Sequence, residues 1–497
     1  MKTAITREKI ILKCPYPLWD FYNLEIVHEI NEHAKLNVTA LLKWDTMEEL
    51  RGIIDDIQDD DAIQVVIKED EDSKILFTGI VMRAHVEIKN HEGLLHLECC
   101  SGTVKMDLLE TSRSFQNLSM TYSEMFKFVT NHYTTHGFIN ANVDEKPVGR
   151  PILQYKETDW QFLKRMAAEK GTVVVADVSS SEAKMFLGIP QRGKVGELIN
   201  ENLQVVEHME TLTQKDRFVY QLSTENEHFK LGDKIDIGGD YVTITSTKFT
   251  YDKDDGILRN SYTLEQPPKM KWYGNSRING VSIEGKVIDV RLDHVKIHLD
   301  IDPSQSVADA FWYPCKAEAN NVWYTMPHIG ERVNLHITDI RENGLCMTET
   351  RGLENQMGTP RSISAPTEKY MLTQWHKQLA LHETDIEFDI PAINMLMTEE
   401  SIYVNSNDKI GIETETEINI GKTEFIYLEN NEKRKRIEET TNITFEAEEL
   451  VTFQISNTES VIEFDEYNRV HTLGKVRQYG GHSVATPVVG KRQSQQR

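Results

Sequence analysis

Between Ile386 and Phe464 a pair of apolar residues two positions apart recurs every eight residues. The pairs are Ile386/Phe388, an imperfect Asn394/Leu396, Ile402/Val404, Ile410/Ile412, Ile418/Ile420 and Ile426/Leu428. After a polar interruption they resume at Ile443/Phe445 and Val451/Phe453, with Ile462/Phe464 out of step. Alternate residues of a β-strand face the same way, so each pair reads as a short inward face and the residues between pairs as a polar crossing. A fixed period of this kind specifies a repeating architecture. A ribbon with one apolar face must coil on itself or wrap with identical chains around a shared axis. The crossings carry Thr, Glu, Asn and Asp and few of the glycine corners that favour a tight single-chain coil. The pattern therefore predicts an intertwined three-chain β-prism, a triple-stranded β-helix, in preference to a single-chain solenoid or meander. Its expected trimer core is Ile402, Val404, Ile410, Ile412, Ile418, Ile420, Ile426, Leu428, Ile443, Phe445, Val451 and Phe453.

Upstream, alternation at Leu36, Val38, Ala40 and Leu42 predicts a strand, and Met47 to Ile57 a short amphipathic helix. Strands follow at Ala62 to Ile67, Ile75 to Ile88 and Leu94 to Cys100. This is an antiparallel, barrel-like succession rather than a βαβ alternation. Two helices interrupt it, each opening on a capping box: Thr121 with Glu124, and Thr158 with Gln161. The first ends near Gly137 and the second at Gly171. Strand patterns return from Val173 to Leu264, and Gln266-Pro267-Pro268 marks the first major boundary. Short strands between Val281 and Thr350, with turns at Asp302-Pro303 and Gly330, suit a small OB-type barrel.

The expected organisation is thus a hub over 1–268 with two barrel-like subdomains and inserted helices, and an OB-fold barrel over 269–350. A linker over 351–378, the prism over 379–466 and a polar tail over 467–497 follow. The fold class is mainly β.

Composition narrows the function. A net charge of −24 speaks against binding a phosphate backbone, which needs clustered Lys and Arg, so no stable nucleic-acid binding is expected. Five cysteines without a CxxC pair argue for reduced thiols. No apolar run is long enough for a membrane helix, and Met1 to Ile10 lacks the apolar core of a signal peptide, so assembly in the cytoplasm is expected.

The runs Ser112-Arg113-Ser114-Phe115-Gln116-Asn117 and Gln154-Tyr155-Lys156-Glu157-Thr158-Asp159-Trp160-Gln161-Phe162-Leu163 resemble the hub of VgrG spike proteins. The same region occurs in phage late control protein D and in the baseplate hub of contractile tails. Leu231-Gly232-Asp233-Lys234-Ile235 and Tyr262-Thr263-Leu264 are similar to the hub's second barrel, and Trp323 to Val333 to the OB barrel that follows it. The resemblance implies a homotrimeric hub and membrane-puncturing spike of a contractile injection system: phage-tail-like, a bacteriocin or type VI-like. It implies tube and baseplate proteins as partners, transient contact with a target envelope, and delivery outward on contraction. The tail over 467–497 would dock a tip (PAAR-like) or effector protein. Between Thr350 and the first octads there is too little chain for the lysozyme domain that some phage spikes insert there.

No catalytic, cofactor-binding or metal-binding residues are expected. There is no GxSxG elbow and no phosphate-cradling glycine loop. Of the histidines four apart, His132/His136 fall at a helix end, where His caps carbonyls, and His294/His298 on a strand, where that spacing is too long to share an ion. Trp160 and Phe162 read as a helix face packing on a barrel. A sugar-binding fibre would need exposed aromatics on the octad crossings, and a cell-wall hydrolase would need a catalytic pocket; neither signature is visible.

Overall fold

The computed structural model describes residues 4–348 apart from 59, 70–71, 135–136, 142, 198–202, 212–213, 226, 267–270, 272 and 317–325. Further on it describes 369–372, 375, 377–407, 410, 451–454, 461–464 and 470–473. The chain forms two compact units, residues 1–360 and 361–497.

A single sheet carries most of the first unit. Its strands run in the order Ile10–Lys13, Ala62–Glu69, Asp72–Lys89, Glu92–Cys100, Lys35–Leu42, Leu18–Glu29, Asp240–Asp252, Leu258–Gln266, Gln214–Thr224 and Leu203–Thr211. Alternation sets the faces: Leu36, Val38, Ala40 and Leu42 are buried with Leu95, Leu97 and Cys99 on the neighbouring strand. Where the sequence predicted two barrel-like subdomains, the structure joins them edge to edge. Leu18–Glu29 is twelve residues long and pairs along one edge with Lys35–Leu42 and along the other with Asp240–Asp252. Leu24 and Ile26 consequently share one apolar cluster with Leu258, Tyr262 and Leu264 from the far half of the hub. An unpaired strand edge would be a liability, and this pairing removes it.

Three α-helices form in the described hub: α1 (Met47–Asp55), α2 (Tyr122–Thr130) and α3 (Asp159–Glu169). Both predicted capping boxes are present with both reciprocal bonds, at Thr121/Glu124 and Thr158/Gln161. Helices α2 and α3 bury Phe126, Val129, Trp160, Phe162 and Leu163 in a second core with Met185 and Leu187. Phe162 packs within this helical insert, stacked on Phe115, while Trp160 also meets the hub sheet, its ring 4.3 Å from that of His33 in the turn between Leu18–Glu29 and Lys35–Leu42.

Strands Ser282–Arg291, His294–Leu299, Trp312–Lys316, Gly344–Thr348 and Arg332–Ile337 close into a barrel in that order. The third and fifth in sequence pair in parallel, with Cys315 opposite Cys346, and the first pairs with the fourth to complete the ring. The expected OB-type barrel is a closed five-stranded barrel; residues 317–325 lie outside the described residues.

In the second unit, Lys369–Leu372, Gln378–Leu381, Asp385–Ile390, Ile393–Thr398 and Ile402–Ser406 form a five-stranded antiparallel meander. Over these residues the single chain forms the antiparallel meander that the octads ranked second. Each strand with its turn occupies one octad, and reversing direction at each turn flips the phase. Ile386 pairs with Met397 and Phe388 with Met395, which pair in turn with Ile402 and Val404. Ile386/Phe388 and Ile402/Val404 thus share a face, while Asn394/Leu396 lies on the other and Met395/Met397 takes its place. Farther along, Val451–Gln454, Val461–Phe464 and Val470–Leu473 form a three-stranded sheet in which Val451 pairs with Phe464 and Phe453 with Ile462.

Candidate functional site: the joint between hub and barrel

The helical insert meets the five-stranded barrel through buried charge, and the local sequence explains how each group arrives there. Strand Glu110–Phe115 pairs with Ile152–Thr158, and α3 starts one residue after the latter ends. At this corner Arg113 donates Nε–H to Gln154 Oε1 at 2.7 Å and pairs with Asp159. Asp159 also accepts from Gln154 Nε2 at 2.8 Å and from the Tyr133 hydroxyl at 2.9 Å. It stands in the first turn of α3, where the helix dipole favours an anion. Arg113, Gln154 and Asp159 are all buried.

A second cluster crosses from the insert to the barrel. Arg165 on α3 donates to Glu157 Oε1 at 2.6 Å and to Glu342 Oε1 at 2.5 Å. Glu342 belongs to the barrel's turn between Arg332–Ile337 and Gly344–Thr348. Its second oxygen accepts from Arg150 Nη1 and from the Leu153 backbone N–H, both at 2.9 Å. Arg150 reaches on to Glu169 at 2.5 Å. The Glu342 side chain is 1% exposed, and its backbone takes the left-handed conformation, φ 67°. That geometry is uncommon for a residue with a Cβ, and the turn holds it: Asp339 accepts from the backbone N–H groups of Arg341 at 2.9 Å and Asn343 at 3.2 Å. Burial pushes the Glu157 carboxyl above the usual range even against the Arg165 charge beside it.

A third contact is formed by Asp302 of the barrel, which accepts from the Ser114 N–H at 2.7 Å and its hydroxyl at 2.5 Å. Burial raises the Asp302 carboxyl, and the two Ser114 donors oppose the rise. Gln116 donates to the Ile297 carbonyl at 3.0 Å and accepts from the Phe311 N–H at 3.2 Å. Between these polar contacts Leu153 enters the barrel's own apolar core. Taking such charges out of water is costly unless each is paired and hydrogen-bonded, as these are. Each carboxylate is engaged by donors, so the arrangement suits a stiff mechanical joint.

The predicted trimer-core residues lie elsewhere. Ile402 and Val404 sit on the last strand of the meander, 63% and 43% exposed, and Ile410 is exposed as well. Val451 and Phe453 lie on strand Val451–Gln454. Ile412, Ile418, Ile420, Ile426, Leu428, Ile443 and Phe445 lie outside the described residues. In the meander, Leu379, Phe388, Met395 and Val404 form one cross-strand row, and Leu381, Ile386, Met397 and Ile402 the next. The result is an apolar sheet face with Leu381, Ile386, Phe388, Ile402 and Val404 all exposed in the single chain. Of the histidines considered, His132 approaches the Phe128 carbonyl at 3.1 Å, as at a helix end, and His136 lies outside the described residues. His298 contacts the Asp302 carbonyl at 2.9 Å, and His294 pairs with Asp293.

The joint was missed as a site. Arg113, Gln154, Glu157 and Asp159 stand within the two runs that carried the family resemblance, but Glu342 and Asp302 have no local signal. A buried Arg at 165 on a helix face otherwise apolar was the available clue.

The family described as the Alg8 N-terminal domain matches residues 60–184. No curated protein matches the chain. A chain in the Francisella PdpA-VgrG complex, half-lidded, is similar over 80% of this chain and 88% of its own length, at 9% identity and a TM-score of 0.53. The E. coli c3393 protein, described as a type VI secretion component with structural similarity to T4 tail proteins gp27 and gp5, covers 68% of this chain and 99% of its own, at 12% identity and 0.46. The 43 kDa tail protein of prophage MuSo2 from Shewanella oneidensis covers 52% and 96%, at 12% identity and 0.38. With its continuous hub sheet, clamped barrel and following β-sheet unit, the chain is similar in fold to the chain of the Francisella PdpA-VgrG complex.

Proposed function

We propose that the chain is the structural hub and spike of a contractile injection system, working as a homotrimer that joins a tube or baseplate to a piercing tip. The observation that carries this reading is the hub–barrel joint. A spike driven through an envelope must transmit axial force, and a barrel keyed to the hub by buried bidentate and charge-assisted bonds resists rotation and sliding. The apolar face of the meander supports the threefold assembly: a one-sided antiparallel sheet is stable when that face is covered, and two further copies bring identical faces to one axis. The octads that continue past Ile410 extend the same requirement. The role is mechanical, without catalysis.

In this reading the trimer assembles in the cytoplasm, is built into a tail-like particle and leaves the cell on contraction. Its neighbours are tube and baseplate proteins. Residues 467–497, present three times around one axis, dock a separate tip or effector protein, because weak contacts add through effective concentration. The Francisella relative was solved as a complex of PdpA with VgrG, which supports a further protein as partner. Removal of 474–497, which spares the strand Val470–Leu473 paired with Val461–Phe464, tests the docking: it should abolish co-purification of a tip or effector protein from the native particle and leave the trimer intact. Light scattering on the purified full chain tests the assembly. Three copies per particle at micromolar concentration are expected, and a folded monomer refutes the threefold reading.

A further inference from the structure

Cys315 and Cys346 are Cα partners where Trp312–Lys316 and Gly344–Thr348 pair in parallel. Residues in register on paired strands project to the same side of a sheet, and here that side is the barrel interior. Tyr313 and Cys315 are buried with Pro314 exposed between them, and Cys346 is buried between the partly buried Leu345 and Met347. Both thiols belong to the apolar cluster that fills the barrel, with Val333 and Leu335. The backbone at each is fixed from its other edge. The Cys315 N–H donates to the Asp293 carbonyl at 2.8 Å, and Cys346 pairs with Leu335.

Paired strands run about 4.8 Å apart, inside the roughly 4.4–6.8 Å between Cα atoms over which a disulfide forms. The two sulfurs already meet. The Cys346 S–H donates to the Cys315 sulfur, and this bond holds the Cys315 thiol below its ordinary value while it raises that of Cys346. Cys315 is therefore the readier thiolate, and it lies nearer the surface, 8% exposed against 0% for Cys346. The other free cysteines, Cys14, Cys99 and Cys100, lie in the hub, and burial pushes all three thiols up.

We propose that Cys315 and Cys346 are an oxidisable pair, which hydrogen peroxide converts into a disulfide across the parallel strands of the barrel. A small oxidant suits thiols this buried. The Cys315 thiolate attacks one peroxide oxygen and the O–O bond breaks, leaving a sulfenic acid and a hydroxide that takes the proton given up by Cys315 and departs as water. The Cys346 sulfur then attacks the Cys315 sulfur, the S–O bond breaks, and the departing hydroxide carries off the Cys346 proton as a second water. The pair loses two hydrogens and two electrons, and the peroxide is reduced to two waters. Cys346 stands four residues past Glu342, so the bond braces the turn that keys the barrel to the hub against strand Trp312–Lys316. It forms within one chain and does not depend on threefold assembly.

Exposure of the reduced full-length protein to hydrogen peroxide under native conditions, followed by tryptic peptide mapping without reductant, tests this. Two peptides joined through Cys315 and Cys346 are expected, with two hydrogens lost, at least tenfold faster than any link among Cys14, Cys99 and Cys100. The thermal midpoint should rise on oxidation and return with dithiothreitol. Cys315→Ser should abolish the linked peptides and the rise, whereas Cys14→Ser should leave both. The wild-type map stands by itself should Cys315→Ser fold poorly. Sulfinic acid at Cys315 without a link, a faster pairing elsewhere, or five unmodified thiols would each overturn the proposal, and a link without a rise in midpoint would refute the bracing.

Discussion

Arg165 and Glu342 lie 177 positions apart in the chain and meet at 2.5 Å, one on the hub's third helix and the other in a turn of the barrel. Glu342 takes up the Leu153 N–H and Arg150 with its other oxygen, so a single carboxylate fastens three segments. Replacing it with alanine leaves buried donors without their acceptor. Glu342→Ala should destabilise the first unit by about 3–5 kcal/mol, seen as a lowered thermal midpoint. Glu342→Gln, which keeps an acceptor for the Leu153 N–H, should lose less. Equal melting of Glu342→Ala and wild type would mean that the joint does not hold the barrel.

His28 gives the hub an acid limit. It lies on Leu18–Glu29 opposite Thr247, where the two halves of the sheet join, and burial pushes its imidazole from 6.5 down to about 4. The folded state holds this ring neutral while the unfolded chain protonates it, so its contribution is full above pH 6.5 and is lost as pH falls from there to about 4. The loss amounts to about 3 kcal/mol. Denaturant unfolding at pH 7 and pH 4.5 should show His28→Gln less acid-sensitive than wild type, and identical pH dependence would remove His28 from the account of acid stability.

The two capping boxes are chemically alike but differently placed. Thr121→Ala removes a cap on α2 and should cost about 1 kcal/mol. The Thr158 hydroxyl also bonds Asp107, so Thr158→Ala should cost more. Chemical denaturation of the two variants side by side measures the difference; equal costs would show that the Asp107 bond adds nothing.

Ile402 and Val404 are neighbours on one apolar face of the meander. Changing both to Asp puts charges where a dry interface is proposed and should be strongly disruptive. Sedimentation velocity should show the trimer lost and the hub still folded by circular dichroism. A variant that sediments as the wild type does would place the interface elsewhere.

Elements governed by local chemistry were legible in the sequence. Thr121/Glu124 and Thr158/Gln161 announced their helices because a cap needs only residues three apart. The strand around Val38 was plain because one face is wholly buried. The face of Met395 and Met397 was not, since an eight-residue period does not say whether successive strands reverse, and reversal changes which residues line up. The joint was hidden for a different reason. Arg113 and Asp159 resemble any exposed charges until the fold brings them together, and Glu342 enters only through a long-range contact.

A threefold hub and spike is tested most directly by class averages of the purified full-length protein under negative stain. The predicted image is a ring of hub density carrying a needle on its axis, threefold in end view. A population of single, unpaired globular particles at the same concentration would contradict it.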